Sequence, residues 1–271
     1  MKIFIVTDME GVCGVVNFND WVIPEGMYYE LGKKLLTFEV NAAVAGFFEA
    51  GADEIYVADG HGHGGINHEL LDNRTYYING FPGKWPFLLD RSFDAIAWIG
   101  QHAKAGTEYS HLTHTQTLRY LDCTINGLSV GEFGQLAACA SFLGVRSIFA
   151  SGEKAFADEA QNLVDGIETV WVKEGTTPGK GDECSEEEYE KRNLSAIHMH
   201  PERARCLIKE SAKRALTRFI NDRESFRLLD LKPPYRCVMK YRSSGNDPAY
   251  TVYSEHSDDI IKMMNGKFQI I

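Results

Sequence analysis

"IFIVTDMEGV", residues 3–12, is the stretch on which the fold turns. It opens as an apolar, β-branched run, the signature of a strand buried on both faces. It then stops at Asp8, Met9, Glu10 and Gly11. Strands buried on both faces belong to parallel sheets covered by helices, and such sheets bind ligands beyond the carboxyl ends of their strands. Two carboxylates one residue apart at such an end therefore raise a question of chemistry as well as of fold.

The rest of the chain continues the alternation. A helical pattern over residues 28–50 ends at Gly51, where a C-cap glycine belongs. "EIYVADG" (54–60), "DAIAWIG" (94–100), "SIFASG" (147–152) and "GIETVWVKEG" (166–175) read as further strands, with helices over 131–144 and 153–164. "LRYLDCTINGLSVG" (118–131) holds two runs joined by Asn126-Gly127, a strong hairpin signal. After residue 174 the composition turns polar, and residues 173–195 read as a loop excursion. A helix over 200–220 follows, then a strand at "PYRCVMKYRS" (234–243) and a final helix at "SEHSDDIIKMMNG" (254–266). The expectation is an α/β fold: a mostly parallel sheet flanked by helices, with a hairpin insertion and an α+β C-terminal part. Residues 1–174 would form the α/β core, and 175–271 an α+β part that either packs into the same domain or forms a second one.

Composition narrows the function classes. The chain has 271 residues and a net charge of −10, which argues against nucleic acid and anionic membrane as principal partners. No apolar run approaches the ~20 residues of a membrane span. The N-terminus meets acid too early for a signal peptide, and the six cysteines are scattered without a CxxC pair. A cytoplasmic protein with reduced thiols is expected.

Polar residues gather where the strands end: Asp8 and Glu10, then Asp59, His61 and His63, then His102, Glu132 and Glu153. In extended chain, residues two apart share a face, which would pair Asp8 with Glu10 and Asp59 with His61. Carboxylates crowded together repel unless protonated or bound to a cation, and mixed Asp, Glu and His ligation suits zinc or a similar divalent ion. Each residue also has a plainer reading. Asp59 could organise a loop, Glu132 could complement a helix dipole, and Glu153 could cap the helix it opens. His111 in "EYSHLTHTQT" reads as a surface loop histidine, with His114 the one closer to chemistry.

The segments "TDMEGVCG", "DGHG", "IGQHA", "SHLTHT" and "INGLSVGEFG", in this order, resemble the zinc-dependent D-aminopeptidases of the M55 peptidase family, associated with dipeptide-transport operons. The resemblance covers roughly residues 1–175. It implies metal ligation by Asp8, Glu10, His61, His102 and Glu132, with Asp8 shared between two zinc ions and His114 in the catalytic position. His63 stands as the alternative to His61. It further implies hydrolysis of short peptides by a water activated by two metals, releasing N-terminal D-amino acids, and a ring-like homo-oligomer, with ten subunits as one count. Two rivals use the same residues differently. The run before Asp8 also looks like the DxDGT motif of haloacid-dehalogenase-type phosphatases, with Asp8 as nucleophile and Mg²⁺ as the ion, but that reading leaves His61, His102, His114 and Glu132 without work. A non-catalytic, metal-containing peptide-binding protein is the other.

Overall fold

The structure, a computed structural model, describes residues 1–80 and 84–271. In chain order the elements are β1 (Lys2–Thr7), α1 (Phe18–Trp21), α2 (Tyr29–Glu49), β2 (Glu54–Asp59), β3 (Tyr76–Ile78) and β4 (Ala95–Gln101). The hairpin β5 (Tyr120–Ile125) and β6 (Leu128–Ser129) leads into α3 (Glu132–Leu143), β7 (Arg146–Glu153), α4 (Lys154–Leu163) and β8 (Glu168–Gly175). The chain closes with α5 (Glu186–Glu190), β9 (Ala196–His198), α6 (Pro201–Asn221), β10 (Tyr235–Tyr241), β11 (Tyr250–His256), α7 (Ile260–Met264) and β12 (Gln269–Ile270).

Seven strands form one sheet in the order β3-β2-β1-β4-β7-β8-β9. All its pairings are parallel except β8 with β9. Alternation along β1 explains its continuous apolar run. Ile3 and Ile5 pack with Leu36, Val40 and Phe47 of α2 and Ile208, Ala212 and Leu216 of α6. Phe4 and Val6 pack on the opposite face with Phe133 and Leu136 of α3 and Phe156 and Ala160 of α4. With helices on both faces, neither side of the strand tolerates polar residues. The α/β class and the flanked, mostly parallel sheet agree with the sequence reading.

A second sheet, ordered β12-β11-β10-β5-β6, is antiparallel. Asn126 and Gly127 turn the β5–β6 hairpin with φ of 51° and 83°, as its sequence anticipates. This sheet packs Cys123, Ile125, Cys237 and Met239 against Ala138 and Cys139, so α3 is buried between the two sheets.

Several expectations are corrected. The final helix read over 254–266 is shorter than expected, because its first three residues belong to β11, which runs to His256 with Val252 and Ser254 alternating inward against β10. Helix begins only at Ile260, where the Asp259 side chain accepts the Lys262 N–H at 2.9 Å. The 173–195 excursion includes part of β8 and the short α5, held by a capping box between Ser185 and Glu188, with Tyr189 buried beneath it. Phe81, Pro82 and Gly83, in a stretch with no counterpart in the resemblance, lie outside the described residues.

Candidate metal centre

The chain connects β1 to β2 on one side and continues to β4 on the other, so the strand order reverses between β1 and β4. That switch point is where a parallel sheet opens a crevice at its carboxyl edge. Asp8 continues β1's pairing for one residue, donating its N–H to Ile99 O at 2.9 Å, and the chain then turns, with Val12 N–H on Met9 O at 3.1 Å. Gly11 is required by close approach: a Cβ there would lie 1.9 Å from Gln101 O. Gly100 answers it on β4, with φ of +78° and a Cβ position 2.1 Å from Asp8 O. The two strand ends meet backbone to backbone, and that contact aims the carboxylates.

Asp8 and Glu10 therefore converge through a turn and not through strand alternation. The second pair read from the same alternation separates. Asp59 ends β2, and its carboxylate accepts the N–H groups of Gly65 at 2.8 Å and Ile66 at 3.1 Å and the Tyr77 hydroxyl at 2.9 Å. It organises the glycine-rich loop that delivers His61 to the crevice. His63, two residues on, is exposed. Of the two alternatives, His61 is the one beside the carboxylates.

Six of the singled-out side chains face one another in two groups, Asp8–Glu10–His61 and His102–His114–Glu132, each with its donor atoms within 4.8 Å. His61 Nδ1 lies 3.2 Å from Asp8 Oδ1 and 3.3 Å from Glu10 Oε2. His102 Nε2 lies 3.2 Å from Asp8 Oδ2 and 3.5 Å from Glu132 Oε1, and His114 Nε2 is 3.8 Å from the same Glu132 oxygen. Asp8 thus sits between the groups, one oxygen toward each. Glu132 opens α3 behind Gly131, and its carboxylate accepts the Gln116 N–H at 2.7 Å. The rings of His102 and His114 stack at 4.0 Å between centroids.

Each imidazole has one nitrogen tied to a backbone carbonyl. His61 Nε2 is 2.6 Å from Val22 O, His102 Nδ1 is 2.9 Å from Ala103 O, and His114 Nδ1 is 3.0 Å from Leu112 O. A carbonyl only accepts, so each of these nitrogens carries its hydrogen, and the other nitrogen of each ring faces carboxylate. In a neutral ring that second nitrogen is a lone pair aimed at negative charge, an arrangement stable only with a cation or a proton between. Glu10 Oε2 and His102 Nε2 are buried with no hydrogen-bond partner among the described residues. The donor set fits a metal: oxygen and nitrogen atoms, tautomers fixed by outer hydrogen bonds, and buried atoms left without partners.

The electrostatics agree. Burial works against charging His61 and His102, yet Glu10 and Asp8 hold the first, and Glu132 and Asp8 the second, well above the ordinary imidazole range. Burial also opposes ionisation of Asp8, but His102 and His61 hold its carboxyl well below its usual value. A field that draws protons onto two buried imidazoles is one that a divalent cation satisfies as well. His114 moves the other way: burial, then the charge of His102, lowers it, so it stands neutral beside the group. A cleft of about 440 Å³ opens over these residues, walled by Phe18, Val22, Ile23 and Leu118 and rimmed by Glu186 and Glu190.

Two plainer readings are corrected. His111 is no surface histidine: it is fully buried, with Nε2 3.0 Å from Val16 O. Glu153 occupies the N-cap position of α4 but does not cap it with its side chain. Its carboxylate turns inward to the N–H groups of Ala103, at 2.8 Å, and His111, at 2.5 Å. Sequence reasoning passed over Gln101, whose amide donates to Asp8 Oδ2 at 2.7 Å, and Lys173, fully buried behind the site. A lysine inside the apolar run "VWVKEG" was the available signal for the second.

The fold and donor set together define a class, an α/β protein with a candidate metal centre at the switch point of its sheet. Residues 1–255 match the sequence model of the Peptidase M55 family, described as D-aminopeptidase, and the chain belongs to that family. A D-aminopeptidase of Bacillus subtilis (strain 168) is 29% identical over 178 residues, a match that spans 64% of this chain and 64% of that relative's length. The solved structure of the Zn-dependent D-aminopeptidase DppA from Bacillus subtilis, described as a self-compartmentalizing protease, shares the fold with a TM-score of 0.83. It is 21% identical, and the superposition covers 98% of this chain and 94% of that one.

Proposed function

We propose that this protein is a zinc-dependent aminopeptidase that removes N-terminal D-amino acids from short peptides, holding two ions through Asp8, Glu10, His61, His102 and Glu132. The observation that carries the metal reading is the pair of imidazoles, His61 and His102, each fixed by a carbonyl on one nitrogen and facing carboxylate with the other. Family membership supports the peptidase activity and the D-preference, and the zinc named for the Bacillus subtilis structure supports the choice of ion. Asp8, with one oxygen toward each group, would serve both ions. When bound, zinc supplies Lewis-acid polarisation of a carbonyl and lowers the pKa of water. Within reach of that chemistry His114 is the proton carrier. It stands neutral, its Nδ1 is tied to Leu112 O, and its Nε2 faces the cleft beside Glu132, free to take a proton and return it to the leaving amine. The acidic cleft favours a substrate with a free, positively charged amino terminus.

The same proposal takes the protein to be cytoplasmic and a ring-like homo-oligomer, ten subunits being the count the family resemblance suggests. Support comes from the self-compartmentalizing description of the similar structure. No helix among the described residues is long and apolar enough to cross a membrane. Residues 1–174 serve as the metal-binding core and 175–271 pack into the same domain, a reading supported by α6 against α2 and β10 against β5.

The test joins metal analysis with peptide release. The purified protein is expected to contain zinc and to release D-residues from short peptides with free amino termini. Chelator should abolish the activity, and N-acetylated peptides should be poor substrates. Equal turnover of free and acetylated peptides refutes the aminopeptidase reading, and preference for L-residues removes the D-assignment.

A further inference from the structure

Behind the loop that carries Asp8 and Glu10, three neighbouring strands place three polar side chains in one row. Glu153 on β7 is the register partner of Lys173 on β8, and Lys173 is the register partner of His198 on β9. Glu153 and Lys173 are fully buried. All three side chains leave the row to hold backbone of the loops that form the metal centre. The Lys173 ammonium donates to the carbonyl of Glu10 and, at 3.1 Å, to that of Val15. His198 Nδ1 accepts the Gly14 N–H at 3.1 Å. Glu153 accepts the N–H groups of Ala103 and His111, on either side of the segment that follows His102. From the other side of the loop, Glu39 of α2 accepts the Cys13 N–H at 3.0 Å. The 10–15 segment has few ladder bonds of its own, and these side chains take the place of a strand partner.

A single ammonium in this position is informative. Burying a lysine is costly, and a hydrophobic side chain of similar volume would fill the space at lower cost. The lysine instead spans two carbonyls five residues apart in sequence, fixing the arc of the loop between them, and one belongs to a proposed metal ligand. Holding Glu10's own carbonyl restrains the backbone from which its carboxylate projects. Outer-shell partners of this kind tune a metal site without touching the ion.

We infer that Lys173 is a positioning residue for the metal centre: by clamping the carbonyls of Glu10 and Val15 it holds the Glu10 carboxylate in its ligating orientation. The inference rests on the metal reading above, so its test must separate the two.

Zinc affinity of the zinc-free protein is measured by competition with a chromogenic chelator, for wild type, Lys173→Met and Lys173→Gln. Hydrogen exchange of the same zinc-free samples is followed at the amides of residues 10–16. The Met variant should bind zinc about 10- to 100-fold more weakly, the usual effect of losing an outer-shell partner. Its 10–16 amides should lose protection while those of β1 and β4 keep theirs. The Gln variant, which retains an amide donor, should fall between. Wild-type zinc affinity in a folded Met variant overturns the inference, as does a lowered melting temperature with affinity and loop protection unchanged, which would make Lys173 a matter of stability alone. If wild type itself takes up no zinc, the metal reading fails, and unchanged exchange over 10–16 in the variant then refutes the clamp by itself. Should the Met variant not fold, the Gln variant decides on the same two readings.

Discussion

Two buried glutamates flank the loop after β1, and they are built differently. On the rear side, Glu153 is fully buried with both oxygens taken up by backbone N–H groups and a lysine beside it in register. On the front side, Glu10 is 4% exposed, and its Oε2 finds no hydrogen-bond partner among the described residues. The rear cluster carries its positive charge covalently, in Lys173. The front cluster sets Asp8, Glu10 and Glu132 among imidazoles, where either a proton or a divalent cation can supply the charge. Buried acid costs stability unless it is paired and hydrogen-bonded. Glu153 thus holds backbone with both oxygens, while Glu10 keeps one oxygen for the ligation proposed above.

The largest expected break in this contrast is Asp8→Ala. Because Asp8 directs one oxygen to each donor group, its removal should empty both metal positions and take turnover to background, with the fold retained. Zinc analysis beside a far-ultraviolet circular dichroism spectrum checks it. Full metal content after this substitution would remove Asp8 from the bridging position.

Next in size is His114→Ala, which probes the edge of the front cluster. His114 is the imidazole farthest from Asp8's carboxylate, and it is stacked on His102. Both zinc ions should stay while kcat falls by ~10²-fold or more, the usual loss for an acid–base group. Zinc content measured beside single-turnover rates separates the outcomes: lost metal makes His114 a ligand, and unchanged turnover removes it from the chemistry.

The smallest effect is expected across the loop from Lys173, from Glu39→Gln. Burial pushes the Glu39 carboxyl up from 4.5 to about 7, against the pull of its bond from Cys13. A carboxyl raised in the folded state binds its proton more tightly there than when unfolded. Its contribution to stability is present below pH 4.5 and is lost as pH rises through 7. Glutamine keeps an acceptor for the Cys13 N–H and cannot titrate. Urea unfolding of the zinc-free protein between these values should show a shallower decline for the variant, and equal slopes would mean that Glu39 does not titrate in this window.

How much of this could be read from sequence follows from how each residue is held. The core strands of the parallel sheet were legible because burial on both faces leaves an uninterrupted apolar run. β11 was not, because Tyr250–His256 has one buried face and one exposed face, and it merges into a stretch with helical spacing. Asp8, Glu10, His61, His102 and Glu132 were legible as a set, since each follows a strand or hairpin that reads clearly. Their pairing was legible only in part: Asp8 does meet Glu10, though through a turn, whereas a loop carries His61 away from Asp59. His111 and His114, three residues apart in one irregular segment, go to a buried carbonyl and to the cleft, and no periodicity distinguishes them. Lys173 and Glu39 hold loops from elements distant in sequence, so only the oddity of a charge in an apolar run marked them.

The hairpin carries a consequence for the order in which the centre comes into being during synthesis. Asp8, Glu10, His61 and His102 hang on β1, β2 and β4, whose mutual pairings are complete once the chain has reached Gln101. Glu132 opens α3 directly after the β5–β6 hairpin, and an isolated two-stranded hairpin is marginal in water. Its third strand is β10, and the side chains of Cys123 and Cys237, which meet across that pairing, are 114 residues apart. A nascent chain that has emerged only as far as β8 thus presents four of the proposed ligands on a paired sheet, while the fifth still lacks its support. The second sheet's support for the hairpin that precedes Glu132 is complete only when β10 has emerged.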